Sequence, residues 1–314
     1  MNRGALLAAG AGALIGAAAF PARARTAGTT RIRIGVVASD VSAEPYYAEA
    51  AGFYERAGLA AQIETLAGGG AIIDAVASGA LDVGFANLTS AAAARQRGIP
   101  VAILAPATLY TSKAPVTVLV KARGSKLRSG ADLTGKTVAV STLRGELQVA
   151  ASLWIDKNGG DSKTVHFVEI PFASMAPALA AGRVDAAMIT EPAMTIQKAQ
   201  IELLSSAYDA IAPEFLIGGW VAASAWIKSD ADAARRFAAA MAETARWANV
   251  HRAQTAQVLI TRTKLDPAVV RSMVRATYGE RLTAEAIQPV LDAAVRYGSL
   301  REPMKAAELI ALPA

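Results

Sequence analysis

Cysteine is absent from all 314 residues. That excludes disulfides, thiolate metal sites, a catalytic thiol and a lipid-modified cysteine, and leaves the hydrophobic core to hold the chain together. Histidine is nearly absent as well. His166 falls inside a strand pattern and His251 inside a helical one; neither has a partner at metal-ligating or catalytic spacing, so both read as structural. Aromatic residues make up only 6% of the chain, against 53% hydrophobic residues, many of them alanine. This balance suits helix-rich α/β packing better than an aromatic-cored β-sandwich. No run of Lys and Arg exceeds two residues and the net charge is +6, so the concentrated basic stripe of a nucleic-acid binder is missing. Beyond the N-terminus no segment offers the roughly 18 uncharged apolar residues that a spanning helix needs.

What is present begins with a leader. MNR supplies a positive start, Gly4 to Phe20 is uncharged and rich in Ala, Leu and Gly, and Ala22-Arg23-Ala24 follows as an A-x-A cleavage site. This is the pattern of a secretory signal peptide, with a single Arg ahead of the apolar run and no twin-Arg pair. Cleavage after residue 24 removes Arg3 and Arg23 and no acid, lowering the net charge from +6 to +4. The expected product is a protein outside the inner membrane, most simply in a bacterial periplasm.

GADLTGKT (130–137) fits the phosphate-loop pattern letter for letter. A phosphate loop must follow a strand and open a helix, so that free N–H groups and the helix dipole face the phosphates. Here Ser129 to Leu133 reads as a turn or short helix, and Lys136-Thr137 leads into a strand. The order is wrong, and the match is accidental.

A repeat is more informative. AVASGALDVGF (75–85) aligns with ALAAGRVDAAM (178–188), Gly79 on Gly182 and Asp82 on Asp185. In both copies a short amphipathic helix ends at a left-handed glycine, and a turn with Asp leads into a buried strand. The context repeats too. RIRIGVV (31–37) reads as a strand, Tyr46–Ala57 as a helix stopped at Gly58, and Gln62–Leu66 as a strand, after which Gly68-Gly69-Gly70 opens a helix. KTVAVST (136–142), Glu146–Asn158, TVHFVEI (164–170) and a helix opened by Pro171–Ser174 repeat that order. Each half is a β-α-β-α-β unit that closes right-handed into a parallel sheet with helices on both faces. PVTVLVKARGS (115–125) and GGWVAASAWIKS (218–229) read as strands joining the halves as a hinge. Helices then continue nearly to the end, with Asp266-Pro267 as a helix start and an apolar stripe on Ile287, Val290, Leu291, Ala294 and Val295.

Laid out in order, AGFYERAGL, GGGAIIDAVASGALDVGFAN, RGIPVAIL, ADLTGKTVAV, PALAAGRVDAAMITEPA and GWVAAS resemble the periplasmic substrate-binding proteins of ABC importers. The group is the one handling nitrate, sulfonates, taurine and thiamine-pyrimidine precursors, with a type II periplasmic-binding-protein fold. ADLTGKTVAV matches that family's step into the second lobe. The resemblance implies a two-lobed Venus-flytrap, each lobe a mainly parallel sheet flanked by helices. Residues 25–115 and 225–314 would form a discontinuous lobe 1 and residues 116–224 lobe 2, joined by two hinge strands. It also implies a small-molecule ligand, a permease in the inner membrane as partner, a monomer, and no cofactor or metal.

Ligands of open α/β folds sit at the carboxyl ends of the strands. That places Ser39, Asp40, Gly69, Gly70, Asn87, Thr89, Ser90, Tyr110, Thr142, Arg144, Gly145, Ser174 and Glu191 at the expected site, with Trp220 at the start of the return strand and Tyr46 on the first helix. Arg144 is either a bidentate partner for an anionic head or a solvated surface arginine. Thr89, Ser90 and Ser174 are helix caps, ligand contacts or both. Glu191, before Pro192, matches the family's E-P step and binds an amine or hydroxyl or is structural. Tyr46 stacks on ligand or packs on the sheet. An enzyme is not indicated: the related pyrimidine synthases carry a Cys-rich motif and active-site histidines that this chain lacks. The expected role is capture of a small, anionic sulfonate or aromatic carboxylate. A ligand sensor, or a binder of heterocyclic vitamin precursors, is the alternative.

Overall fold

A computed structural model describes residues 29–66 and 68–311; the leader expected over residues 1–24 lies outside them. The first half runs β1 (Thr30–Val36), α1 (Glu44–Ala50), α2 (Phe53–Arg56), β2 (Leu59–Thr65), α3 (Gly69–Ala77), β3 (Val83–Asn87), α4 (Leu88–Gln96) and β4 (Val101–Pro106). The chain crosses through β5 (Thr108–Thr111) to β6 (Thr117–Ala122), β7 (Thr137–Val140), α5 (Glu146–Lys157), β8 (His166–Glu169), α6 (Phe172–Ala180), β9 (Ala186–Thr190), α7 (Ala193–Gln197) and β10 (Ile201–Ser205). It returns through β11 (Glu214–Leu216) to β12 (Gly218–Ala223) and α8 (Ser224–Ser229). The remainder is α9 (Ala231–Val250), α10 (Arg252–Thr263), α11 (Pro267–Ser272), β13 (Thr277–Tyr278) and α12 (Ala284–Arg296).

Two five-stranded sheets share one plan, β2-β1-β3-β12-β4 and β8-β7-β9-β6-β10. In each, the central strand of the first βαβ unit is parallel to both neighbours, and the fourth strand runs against them. The repeated Gly and Asp do the same work twice. Gly79 and Gly182 close their helices at φ 76° and 65°, a conformation that favours glycine. Asp82 then accepts a hydrogen bond from the Arg33 amide at 2.7 Å, and Asp185 one from the Thr137 amide at 2.9 Å. Each Asp thereby sets the register between the third strand of its unit and the first.

Several expectations need correction. The segments joining the halves are not 115–125 and 218–229. β6 belongs wholly to the second sheet and β12 to the first, and the chain after Ala223 turns helical. The actual crossings are β5 and β11, paired antiparallel with Phe215 opposite Tyr110, and β13 completes a third small sheet. Tyr110, Tyr208 and Phe215 pack there with ring centroids 5.2–5.4 Å apart. The helix expected over Tyr46–Ala57 is two helices, because Gly52 adopts φ 72° between them. His251 lies at the joint of α9 and α10, its ring stacked on Trp247 at 4.9 Å. As expected, GADLTGKT forms a single 3-10 turn at Ala131–Leu133 and then β7. Gly130 is needed there for close approach: a Cβ would fall 2.3 Å from the Ile155 carbonyl oxygen.

Candidate binding site between the lobes

A cavity of about 410 Å³ lies where residues of the first half, the second half and the C-terminal segment meet. Its walls are the first two turns of α3 (Gly70, Ile73, Asp74) and α4 (Thr89, Ser90, Ala93), with Gln96 and Arg97 farther along. The loop Thr142–Gly145 leads into α5, and Gly298, Ser299 and Arg301 follow α12. The size falls within the roughly 300–1,000 Å³ of small-molecule sites. A slightly larger hollow of about 460 Å³ includes Lys136 and Asp185, which precede β7 and β9. It therefore sits at the amino ends of β7 and β9, away from the starts of α3, α4 and α5.

The local sequence makes the cavity receptive to an anion. The helices α3, α4 and α5 all begin beside it. Their N-cap residues Gly68, Asn87 and Gly145 supply no side-chain cap hydrogen bond. Amides of the first turns are thus free of local side-chain acceptors, at the positive ends of three helix dipoles. Thr89, only 3% exposed, has a hydroxyl without a hydrogen-bond partner, and the Ser299 hydroxyl is in the same condition. A buried hydroxyl left unpaired costs about 1–3 kcal/mol, so both are poised for an incoming acceptor.

Three arginines, Arg97, Arg144 and Arg301, and one acidic residue, Asp74, are the charged residues of the wall. Arg144 has a left-handed backbone at φ 57°, and its amide donates to Gln148 Oε1 at 2.7 Å. A non-glycine residue there costs about 1–3 kcal/mol; among the described residues Lys264, at the end of α10, shares the conformation. Ile73, Ala93 and Leu143 supply apolar wall, and Leu143 remains 46% exposed.

Of the residues singled out in the sequence, Gly70, Thr89, Ser90, Thr142, Arg144 and Gly145 line this cavity. Gly69 and Asn87 adjoin it in the chain. The others lie elsewhere. Asp40 is 2% exposed and its carboxylate already receives Arg275 (2.7 and 3.0 Å), the Ala276 amide (2.8 Å) and the Tyr47 hydroxyl (2.7 Å). Trp220 is fully buried against Phe85 and Phe237, its indole donating to Glu44 Oε2 at 2.9 Å. Tyr110 is core, bonded to Asp209 at 2.8 Å. Each was placed at the cleft because it stands near a strand end, and each instead points into the packing behind that end. Glu191 is 4% exposed and accepts from Thr195 and from the Val274 amide; burial raises its pKa. Tyr46 bonds Thr65 at 3.1 Å, Ser174 is exposed on α6, and the Ser39 hydroxyl is buried without a partner.

The sequence reading missed Asp74, Arg97, Ser299 and Arg301. Asp74 stands four residues after Gly70, one helical turn along the same face, which is a legible signal. Ser299 and Arg301 come from the far end of the chain and carry none. The reading also missed two buried carboxyls. Glu44 and Glu146 are the first residues of α1 and α5, 0% and 1% exposed. Burial pushes the Glu44 carboxyl well above its ordinary range, and the Glu146 carboxyl up to about 8.

Comparison with solved structures gives the fold independent support. The periplasmic aliphatic sulphonate binding protein SsuA from Escherichia coli superposes with TM-score 0.75 at 17% identity, over 90% of this chain and 92% of that one. The alkanesulfonate-binding protein SsuA from Xanthomonas axonopodis pv. citri, bound to MOPS, gives 0.73 at 19%, over 91% and 99%. The periplasmic nitrate-binding protein NrtA from Synechocystis PCC 6803 gives 0.73 at 14%, over 90% and 85%. The two-lobed architecture is therefore the periplasmic-binding-protein fold. By sequence alone, no curated protein matches the chain. A family profile does match, across residues 40–254, and with well over half of its length inside that profile the chain belongs to the NMT1/THI5 like family.

Proposed function

We propose that this chain is the solute-binding component of an ABC importer. It is exported to the periplasm, captures a small organic anion in the cavity between its lobes, and presents it to a membrane permease. The observation that carries this reading is the unpaired, buried Thr89 hydroxyl at the start of α4, in a cavity bordered by three helix N-termini and three arginines. Such a wall complements an acidic head group. Ile73, Ala93 and Leu143 complement an aliphatic body. With Tyr110 and Trp220 in the core, the wall offers no aromatic ring for stacking, so an alkyl sulfonate or carboxylate suits it better than an aromatic one. A bare nitrate would leave most of the 410 Å³ unfilled. The likeness to the sulfonate-binding proteins supports the same reading. Among the described residues no helix is long and apolar enough to cross a membrane.

The test is a thermal-shift screen of the chain from Arg25 onward, after partial unfolding and refolding to strip carried-over ligand. The panel holds alkyl and aryl sulfonates, carboxylates, taurine, nitrate and heterocyclic vitamin precursors. A ligand at a hundred times its Kd adds about 2.7 kcal/mol of stability, which moves the midpoint by several degrees. Arg144→Ala is expected to weaken an anionic hit by roughly 10- to 100-fold, the range for one charge-assisted hydrogen-bonded pair. No shift with any anion would refute the assignment.

A further inference from the structure

The crossings β5 and β11 are not the only joins between the two sheets. The segment after α11 reaches over the cleft. The Val274 amide donates to Glu191 Oε1 at 3.0 Å, and Glu191 directly follows β9 of the second sheet. The next two residues turn the other way: Arg275 and the Ala276 amide hold Asp40, beyond β1 of the first sheet, at 2.7 and 2.8 Å. Three consecutive residues are thus pinned between a carboxylate of one lobe and a carboxylate of the other. A second join lies beside the cavity. The Tyr297 hydroxyl donates to Asp156 Oδ2 on α5 at 2.8 Å, and Tyr297 is followed immediately by the cavity-lining Gly298 and Ser299.

The C-terminal segment is anchored mainly on the first lobe, where Ile310 bridges to Ile103 of β4 and the Tyr278 amide and carbonyl are held by Asn249 of α9. The Glu191–Val274 and Tyr297–Asp156 bonds are its polar ties to the second lobe. In a two-lobed binder, closure rotates one sheet against the other, so bonds that span the cleft exist in one arrangement and break in the other. A ligand then need supply only the part of the bridging that the chain does not supply itself.

We propose that Glu191 and Tyr297 are positioning residues that form a built-in latch, setting how far the lobes close and so how firmly a solute is retained. The inference rests on the solute-binding reading above. Neither residue lines the cavity. Glu191, the family-like E-P glutamate, serves the chain's own backbone.

The absence of cysteine makes the latch directly measurable. Gln62→Cys on β2 and His166→Cys on β8 place spin labels on exposed positions of the outer strands of the two sheets. Pulsed electron–electron distance measurement on the labelled, ligand-free protein is expected to give a dominant distance from the latched arrangement and a resolvable minor one from the open arrangement. Tyr297→Phe removes a single hydroxyl and should shift the closed-to-open ratio about fivefold, the worth of one hydrogen bond. Adding Glu191→Ala should shift it by a similar factor again, since the two sites are distant, while Glu191→Gln, which keeps an acceptor for the Val274 amide, should not. If Glu191→Ala fails to fold, Tyr297→Phe alone decides. Distributions identical to the parent in Tyr297→Phe and in the double variant would overturn the latch. A distance shift with no ligand found in the thermal screen would uphold the latch and refute the binding assignment instead.

Discussion

Replacing Glu146 by Gln tests whether burial governs this site's electrostatics. Glu146 is 1% exposed, and the Tyr208 hydroxyl is the one polar side chain that favours its ionised form against that burial. Its pKa is raised to about 8 by burial, whereas an unfolded glutamate titrates near ~4.3. Between those values the folded chain holds a proton that the unfolded chain has released. Protons bound in the unfolded state minus the native state is then about −1. Stability from this group is therefore fully present below pH ~4.3 and declines as pH rises, by about 1.4 kcal/mol per unit, until the folded value is passed. Glu44 and Glu191 are shifted in the same direction by burial, so the parent's slope is steeper than one group gives. Glu146→Gln is neutral at all pH values and removes one proton from that slope. Urea unfolding followed by tryptophan fluorescence at pH 5.5 and 7.5 measures it. The parent should lose roughly 2.5 kcal/mol more than the variant between the two. Equal losses in both proteins would mean that Glu146 is already ionised or hydrated in the fold, and the argument from burial would fail.

Two further changes probe the cavity and the turn before β7. Thr89→Val keeps the branched shape but deletes the unpaired hydroxyl, so the ligand-free protein should become more stable by about 1 kcal/mol while titration calorimetry shows weaker ligand binding. A loss of stability would instead reveal an internal partner for that hydroxyl. Gly130→Ala drives a methyl group to 2.3 Å from the Ile155 carbonyl oxygen and should cost about 1–3 kcal/mol in a melt. A melt identical to the parent would show that the close approach is not there.

The framework of each lobe was legible because it is built from short-range patterns. The Gly–Asp pair that closes each βαβ unit lies within four residues, and the period-two apolar strands and glycine-opened helices speak for themselves. The third sheet was not legible. Its strands have two to four residues, too few for any alternation to show. The cavity was half legible for the same reason. Thr142–Gly145 and the starts of α3 and α4 follow from strand ends, whereas Arg301 arrives from the opposite end of the chain. Asp40 and Trp220 illustrate the commonest error. A polar or aromatic residue near either end of a strand looks like a ligand contact until its partner is known. The partners, Arg275 and Glu44, are separated from them by 235 and 176 residues, and no local pattern announces them.

The shared sheet plan has a consequence for how the chain assembles. All five strands of the second sheet come from residues 117–205, one continuous stretch. The first sheet lacks its fourth strand until Gly218–Ala223 returns to pair Trp220 with Phe85 and to separate β3 from β4. The β3–β4 gap is open for as long as that return is missing, and closing it means closing a long loop, which is slow. A nascent chain therefore reaches a complete second sheet before a complete first one. Any fragment ending before Gly218 leaves β3 and β4 as bare, apolar sheet edges, the kind of surface that recruits other chains.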